Sequence, residues 1–575
     1  MSKTPLFDAA LDKILSPLVP HTRTCAETGK PFEITEKDIE MCRSLRVPPP
    51  QTEWIVRMRQ KRSFMGGYDL YRRALPDGKS VVTLYDPESF AKFLPSEEWY
   101  SDKFDPMVYA QEAHPEEPFF AQWDRLSHIV PRPALRQDPA SENSEWSIYF
   151  QALKNGYNCF GTVDSEDVTY TDMTIITKHS SDLSLCTNSE WCYDDVCCNF
   201  CYRVFFSEWC SNSSDLYFCL ACNNCTNCFG CTNLRNKKNC FLNEQLTEEE
   251  YKKRISAIDF TDSDVVEDWR AEAQHLWKKA FRCGAVLTNS EDALGEDIHN
   301  SRDVFGSVIW ESEHAYKAML TAGVKNSYDT QGGHGVEYCY NDLLSIPGYG
   351  NRMTNMCWSC MDLEYSELCT SCEHCFGCLG LTHKSFCIFN KQYTEEEYWK
   401  RVDAMKVAML ERGEYGEFFS HALNPVAYNS SHAMALFPMV EEEAKKLGMR
   451  WYSFAEEQKG EAESASAIPE KLVDTKDAIL KQAFRCPITN RIFRFVKPEL
   501  EFHREMNLAL PRVHPSVRRY GRAAQQFPLY LNQRPCDSCQ TIMWTRIPAT
   551  HTAPVLCQDC YEKVVIGEKE LPVAQ

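Results

Sequence analysis

The sequence predicts a mainly β protein with helices: two cysteine-rich, β-solenoid-like repeats, each closed by a helix, flanked by two ribbon-like end modules. The C-terminal module reads as a zinc ribbon and the N-terminal one as a copy of it without zinc. Three observations carry this reading: an internal repeat at an offset of 147 residues, cysteines that share one three-residue phase, and a wider repeat that pairs the two ends.

Sliding the chain by 147 residues superimposes Cys222, Cys225, Cys228, Cys231, Cys240, Asn243 and Gln245 on Cys369, Cys372, Cys375, Cys378, Cys387, Asn390 and Gln392. Thr247-Glu-Glu-Glu-Tyr251 then falls on Thr394-Glu-Glu-Glu-Tyr398, and upstream Cys192 and Cys210 fall on Cys339 and Cys357. Each copy therefore extends about a hundred residues. Thr247 with Glu250 and Thr394 with Glu397 are capping boxes that start a helix after each copy. Within the copies every cysteine but Cys197 lies in one phase of a three-residue period. Many partners lie 18 residues apart, such as Cys192/Cys210, Cys222/Cys240 and Cys369/Cys387, which predicts an 18-residue coil stacked in ladders over 146–246 and 291–393. A helical reading fits poorly, because Cys, Asn and Ser are weak helix formers and the spacing is not 3.6.

At an offset of 462 residues Arg72–Trp99 aligns without a gap on Arg534–Tyr561, and at 461 Cys25-Ala-Glu-Thr-Gly-Lys-Pro-Phe32 matches Cys486-Pro-Ile-Thr-Asn-Arg-Ile-Phe493. The predicted order is a basic N-terminal module over 1–110, a linker over 111–145, the first repeat and its helix over 146–290 and the second over 291–412. A connector over 413–483, with a helix at 440–447 ended by Gly448, leads to a basic C-terminal module over 484–575.

At 575 residues, 43% of them hydrophobic, the chain is too long for one ordinary core and too apolar for disorder. It has no uncharged apolar run of about 20 residues, and Asp8, Asp12 and Lys13 interrupt the N-terminus, so neither a membrane span nor a signal peptide is expected and the chain is placed in the cytoplasm. In a reducing compartment its 29 cysteines are metal ligands, catalytic groups or small packed side chains. The net charge of −20 argues against coating nucleic acid, yet it is uneven: 1–75 carry +4, 484–575 carry +5 and the centre −29.

The clearest metal signal is Cys536-x2-Cys539 with Cys557-x2-Cys560, the spacing of a closed, structural zinc site, whose N-terminal counterparts are Ala74, Asp77, Pro95 and Glu98. Arg504, Arg512, Arg518, Arg519, Arg522 and Arg534 cluster before that ribbon, as Arg57, Arg59, Lys61 and Arg62 do at the other end. Such clusters suit the phosphates of a nucleic acid or ribonucleoprotein, or dock on the acidic middle of the same chain. Cys222, Cys225, Cys228 and Cys231, with Cys369, Cys372, Cys375 and Cys378, are possible second metal sites. Their uniform spacing departs from the ferredoxin pattern and fits a ladder of packed thiols. No GxSxG, Walker A, HExxH or Rossmann pattern is present, and no catalytic residue is assigned.

Cys25-x2-Thr-Gly-Lys-Pro-Phe, Val47-Pro-Pro-Pro50, Arg132-Pro-Ala-Leu135, Ser141-Glu-Asn-Ser-Glu145, Asn227-Cys-Phe-Gly-Cys231, Phe389-Asn-Lys-Gln-Tyr393, Glu499-Leu-Glu-Phe502 and the closing CxxC pair resemble a cysteine-rich family of candidate-phylum bacteria. The resemblance spans nearly the whole chain and implies the domain order and the zinc ribbon. Many members carry the label "CaiB/BaiF family", after coenzyme A transferases, which would imply an interlaced α/β fold with an aspartate acyl acceptor; the sequence does not place that residue. The expectation is a non-catalytic scaffold or binding protein with one structural zinc, engaging RNA, a ribonucleoprotein or another protein through its basic ends. The alternative is a redox or metal-storage protein, iron–sulfur or multi-zinc, that uses the cysteine ladders.

Overall fold

A computed structural model of the chain describes residues 2–138, 140–186 and 189–567, so short parts of the predicted linker, first repeat and C-terminal module lie outside the described residues. The architecture is mixed helix and strand, dominated by parallel ladders. In the first ladder, isolated parallel bridges link Ile148 to Phe160, Phe160 to Asp172, Asp172 to Ser184 and onward to Thr232, with short strands such as Thr226–Phe229 between them. The second ladder is an eleven-stranded sheet running from Leu287–Thr288 to Lys391–Gln392.

The register corrects the expected coil length. Pairs lie 12 residues apart, as in Cys228 with Cys240 and Cys375 with Cys387, and 11 apart in the opening turns of the second ladder, as in Glu291 with Arg302. Eighteen residues are one and a half turns, which puts the 18-spaced cysteines on opposite walls of neighbouring turns. The cysteines in register are instead those 12 apart, such as the column Cys186, Cys198, Cys210 and Cys222, all buried. The three-residue phase has a simple origin: each turn has four sides of three residues, and every third residue takes a left-handed conformation that makes a corner, as at Asn212, Asp215, Phe218 and Ala221. Asn and Asp recur there because they tolerate that conformation best among non-glycine residues. Cys197, the one cysteine out of phase, occupies such a corner with φ 54°.

Within each side the first residue donates to the next turn and the corner residue to the previous one, as in Ile148 N–H to the Cys159 carbonyl (2.9 Å) and Gly161 N–H to the Ile148 carbonyl (3.1 Å). The residue that follows each corner points inward, and so does its amide. That amide is satisfied by the side chain 12 residues earlier: Cys159 N–H donates to Ser147 Oγ, Cys219 to Ser207 Oγ, Cys225 to Ser213 Oγ and Cys339 to Ser327 Oγ, at 3.0–3.2 Å. A buried donor left unpaired would cost about 1–3 kcal/mol, which explains why these columns hold small polar or polarizable residues.

After the ladders the two capped helices follow. Thr247 forms both halves of its box with Glu250, and Thr394 accepts from Glu397 N–H. Gly448, with φ 75°, follows the helix Glu441–Lys446.

The ends repeat element by element. His21–Thr24, Pro31–Ile34, Glu36–Leu45 and Trp54–Ser63 match Phe484–Arg485, Ile492–Phe493, Lys497–Met506 and Pro515–Gln525. The hairpin Tyr71–Ala74/Ser80–Thr83, the strand Phe93–Leu94 and the turn of helix Ser96–Trp99 match Asn532–Pro535/Ile542–Thr545, Val555–Leu556 and Gln558–Tyr561. Each lone strand pairs in parallel with the segment that leads into a ladder, Phe93 with Arg132 and Val555 with Arg282. The docking is crossed: helix Trp54–Ser63 lies on the second ladder, and helix Pro515–Gln525 on the first.

Candidate metal centre

Asn532–Pro535 and Ile542–Thr545 form an antiparallel hairpin whose tight turn begins at Cys536, with Cys536 N–H donating to the Thr541 carbonyl and Gln540 N–H to the Cys536 carbonyl. Gln540 closes the turn in the left-handed conformation. Cys557 caps the short helix Gln558–Tyr561 from the facing segment. The four sulfurs of Cys536, Cys539, Cys557 and Cys560 all lie within 4.8 Å of one another, and Cys539 and Cys557 Sγ are 3.7 Å apart. Four sulfurs about 2.3 Å from one centre at tetrahedral angles would be about 3.8 Å apart, so the set fits a four-coordinate metal ion. Cys557 N–H donates to Cys536 Sγ (3.2 Å), a contact that supports thiolate charge. The Thr541 hydroxyl and amide hold the Cys539 thiol down at about 6, an acidity suited to a ligand. Among the described residues this is the one group of three or more His, Cys, Asp or Glu so gathered.

The other candidate ligands are not gathered in that way. Cys222, Cys225, Cys228 and Cys231 are consecutive inward residues on four different walls, as are Cys369, Cys372, Cys375 and Cys378, and all are buried. Their thiols lie within donating distance of backbone carbonyls: Cys222 of Leu220 and Cys231, Cys225 of Asn223 and Leu234, Cys231 of Phe229 and Cys240, Cys372 of Thr370 and Leu381, Cys378 of Phe376 and Cys387, at 3.3–3.7 Å. Burial pushes the Cys186, Cys192 and Cys339 thiols well above the usual range, whereas neighbouring thiols that donate to them hold Cys222, Cys231 and Cys372 below it.

Three cations at each end, Arg57, Lys61 and Arg62 at one and Arg518, Arg519 and Arg522 at the other, turn inward onto the middle of the same chain, while Arg59, Arg504, Arg512 and Arg534 pair within the end modules and the connector. Arg57 pairs with Asp329, and Lys61 Nζ reaches the Asp329 carboxylate (2.8 Å), its carbonyl (2.7 Å) and Asn341 Oδ1 (2.8 Å). Arg62 donates to Gln331 (3.1 Å), and Arg59 pairs with Glu27. At the other end Arg518 bridges Asp182 and Glu499 (both 2.8 Å), and Arg522 binds Asp182 (2.6 Å) and the Tyr170 carbonyl (3.1 Å). Arg519 donates to the Tyr68 carbonyl, Arg534 to that of Pro548, Arg512 to that of Ile468 and Arg504 to Asp477. Arg57, Lys61, Arg62 and Arg522 are 0–1% exposed, so no external phosphate reaches them. Asp182 and Asp329, the counter-charges, were not singled out from the sequence. Their signal was there: they differ by 147, while Arg57/Arg518 and Lys61/Arg522 differ by 461.

Comparison with protein-family models and with curated proteins returned no match for this chain. None of its described helices is long and apolar enough to cross a membrane.

Proposed function

We propose that this chain is a non-catalytic, zinc-stabilised binding scaffold. In this reading the two ladders are β-solenoid stacks, a zinc ribbon at Cys536, Cys539, Cys557 and Cys560 closes the C-terminal module, and the N-terminal hairpin is the same ribbon without its metal. Four thiolates leave no open coordination position, which suits a structural ion; soft sulfur donors in a tetrahedral set suit zinc or iron, and the closed structural role favours zinc.

The observation that carries the reading is the internal use of the reactive side chains. The buried thiols face backbone carbonyls of their own turns, and the basic helices are neutralised by Asp182 and Asp329. What remains available is the set of regular outer faces, which suits binding more than catalysis. Of the partner classes the sequence allows, another protein is favoured over nucleic acid, because the cations that would meet phosphate are already paired.

Elemental analysis and a visible spectrum of the full chain, purified without oxygen or added metal, test this. About one zinc per chain and no colour are expected. Several irons with a visible charge-transfer band would overturn it in favour of a thiolate-metal redox or storage protein.

A further inference from the structure

The two stacks are internal controls for each other, and on one outer face they differ. In the second stack Ile346 and Trp358 sit one turn apart in one column, and Tyr349 and Met361 pair directly in the next. Tyr338 adjoins them, its ring 5.6 Å from that of Tyr349. All five side chains are 36–43% exposed. At the equivalent positions of the first stack, 147 residues earlier, stand Asn199, Ser211 and Ser214 in place of Ile346, Trp358 and Met361, while Trp191 and Tyr202 keep an aromatic ring in place of Tyr338 and Tyr349. The fold therefore does not require apolar residues at those three positions. Large apolar side chains gathered on one sheet face, where the sister face is polar at three of the five positions, mark a surface meant to be covered.

The rim selects the occupant. The turns that bound the patch contribute Glu337, Asp362 and Glu373; the cations Lys325 and Lys384 stand one turn further out on either side. A second copy would set two acidic rims, on chains of charge −20, against each other, and nucleic acid would meet the same repulsion. We infer that this face of the second stack docks a cationic polypeptide that lays apolar side chains on Ile346, Tyr349, Trp358 and Met361 and basic ones on the acidic rim. This rests on the scaffold reading only in treating an outer face as a binding surface; metal content tests that reading separately.

The test uses the full metal-loaded chain and a synthetic 12-residue peptide of alternating lysine and leucine, with the glutamate–leucine peptide as control. The triple variant Ile346→Asn, Trp358→Ser, Met361→Ser carries the first stack's own residues, and unchanged circular dichroism and zinc content establish that it folds. The lysine peptide is expected to bind the natural chain, with affinity falling as salt rises, and to bind the triple variant about tenfold or more weakly. Glu337→Gln with Glu373→Gln should remove most of the salt dependence. No binding at about 1 mM peptide, equal binding to natural chain and triple variant, or equal binding of the glutamate peptide would overturn the proposal. So would concentration-dependent self-association that the triple variant abolishes, since the occupant would then be a second copy.

Discussion

The hairpin Tyr71–Ala74/Ser80–Thr83 and its repeat Asn532–Pro535/Ile542–Thr545 have the same strands and the same left-handed turn residue, Gly78 in one and Gln540 in the other. They are fastened differently. The N-terminal hairpin leans on the connector: Tyr71 Oη meets Ser430 Oγ at 2.6 Å, its ring packs 5.2 Å from that of Tyr452, and Arg450 grips Asp86 with two bonds of 2.9 and 3.0 Å. In the C-terminal hairpin the counterpart of Tyr71 is an exposed Gln533 and that of Asp86 is Pro548, and four cysteines converge instead. The difference teaches that equivalent hairpins are held by different means: the connector anchors the first, whereas the second has four gathered cysteines and a seat on Glu296 through Thr545 and Arg546.

Removing the metal should produce the largest effect. A structural zinc site contributes on the order of 10 kcal/mol, so strong chelation, or Cys536→Ser with Cys557→Ser, should strip hydrogen-exchange protection from 532–561 and leave 71–99 protected. Equal loss in both hairpins would break the comparison.

The crossed docking gives the next test. Asp329→Asn leaves two buried cations, Arg57 and Lys61, without a counter-charge and should lower stability by about 4 kcal/mol in urea unfolding. Asp182→Asn should cost less, since Glu499 still holds Arg518 and only Arg522 loses its carboxylate.

Inside the stacks, Asp195 and Asp342 are equivalent inward residues, both fully buried, and burial raises the pKa of both carboxyls, that of Asp342 to about 6. A folded-state value above the unfolded one of 3.8 means that this contribution to stability is complete below about pH 3.8 and is lost as pH rises through about 6. Asp342→Asn should therefore gain on the natural chain by about 3 kcal/mol between pH 3.5 and 7.5, read as a shift in the difference between their urea midpoints. A constant difference would show that the carboxyl does not titrate there.

Arg450→Ala should loosen 71–86 by about 2 kcal/mol, with faster exchange there and none in the C-terminal hairpin. Smallest is Thr247→Ala, which removes a complete capping box and should cost about 1 kcal/mol, read as local exchange in Glu248–Ile255.

Much of this was legible because duplication leaves fixed offsets. The shifts of 147 and 461–462 residues anticipated the paired ladders, the helix starts and the repeated end module, and CxxC spacing pointed to the four sulfurs that converge. The turn length was not legible. Cysteines 12 and 18 apart are both common in a chain with one three-residue phase, and only backbone pairing separates a full turn from one and a half. The direction of the arginines was also hidden, since a basic helix reads alike whether it faces solvent or an aspartate hundreds of residues away. Nor does homology fix the contact: Met58 packs in one cluster with Met319, while the equivalent positions hold Arg519 and Asp172.

Crossed docking also sets a timetable for synthesis. Arg57 is separated from Asp329 by 272 residues, which at about 5–20 residues per second take roughly 14–54 s to emerge. During that interval helix Trp54–Ser63 carries Arg57, Lys61 and Arg62 with no carboxylate to receive them. Helix Pro515–Gln525, by contrast, meets a first stack finished long before. During synthesis the earlier of the two end modules thus passes through a cationic, unsealed stage, whereas the later one finds its seat waiting.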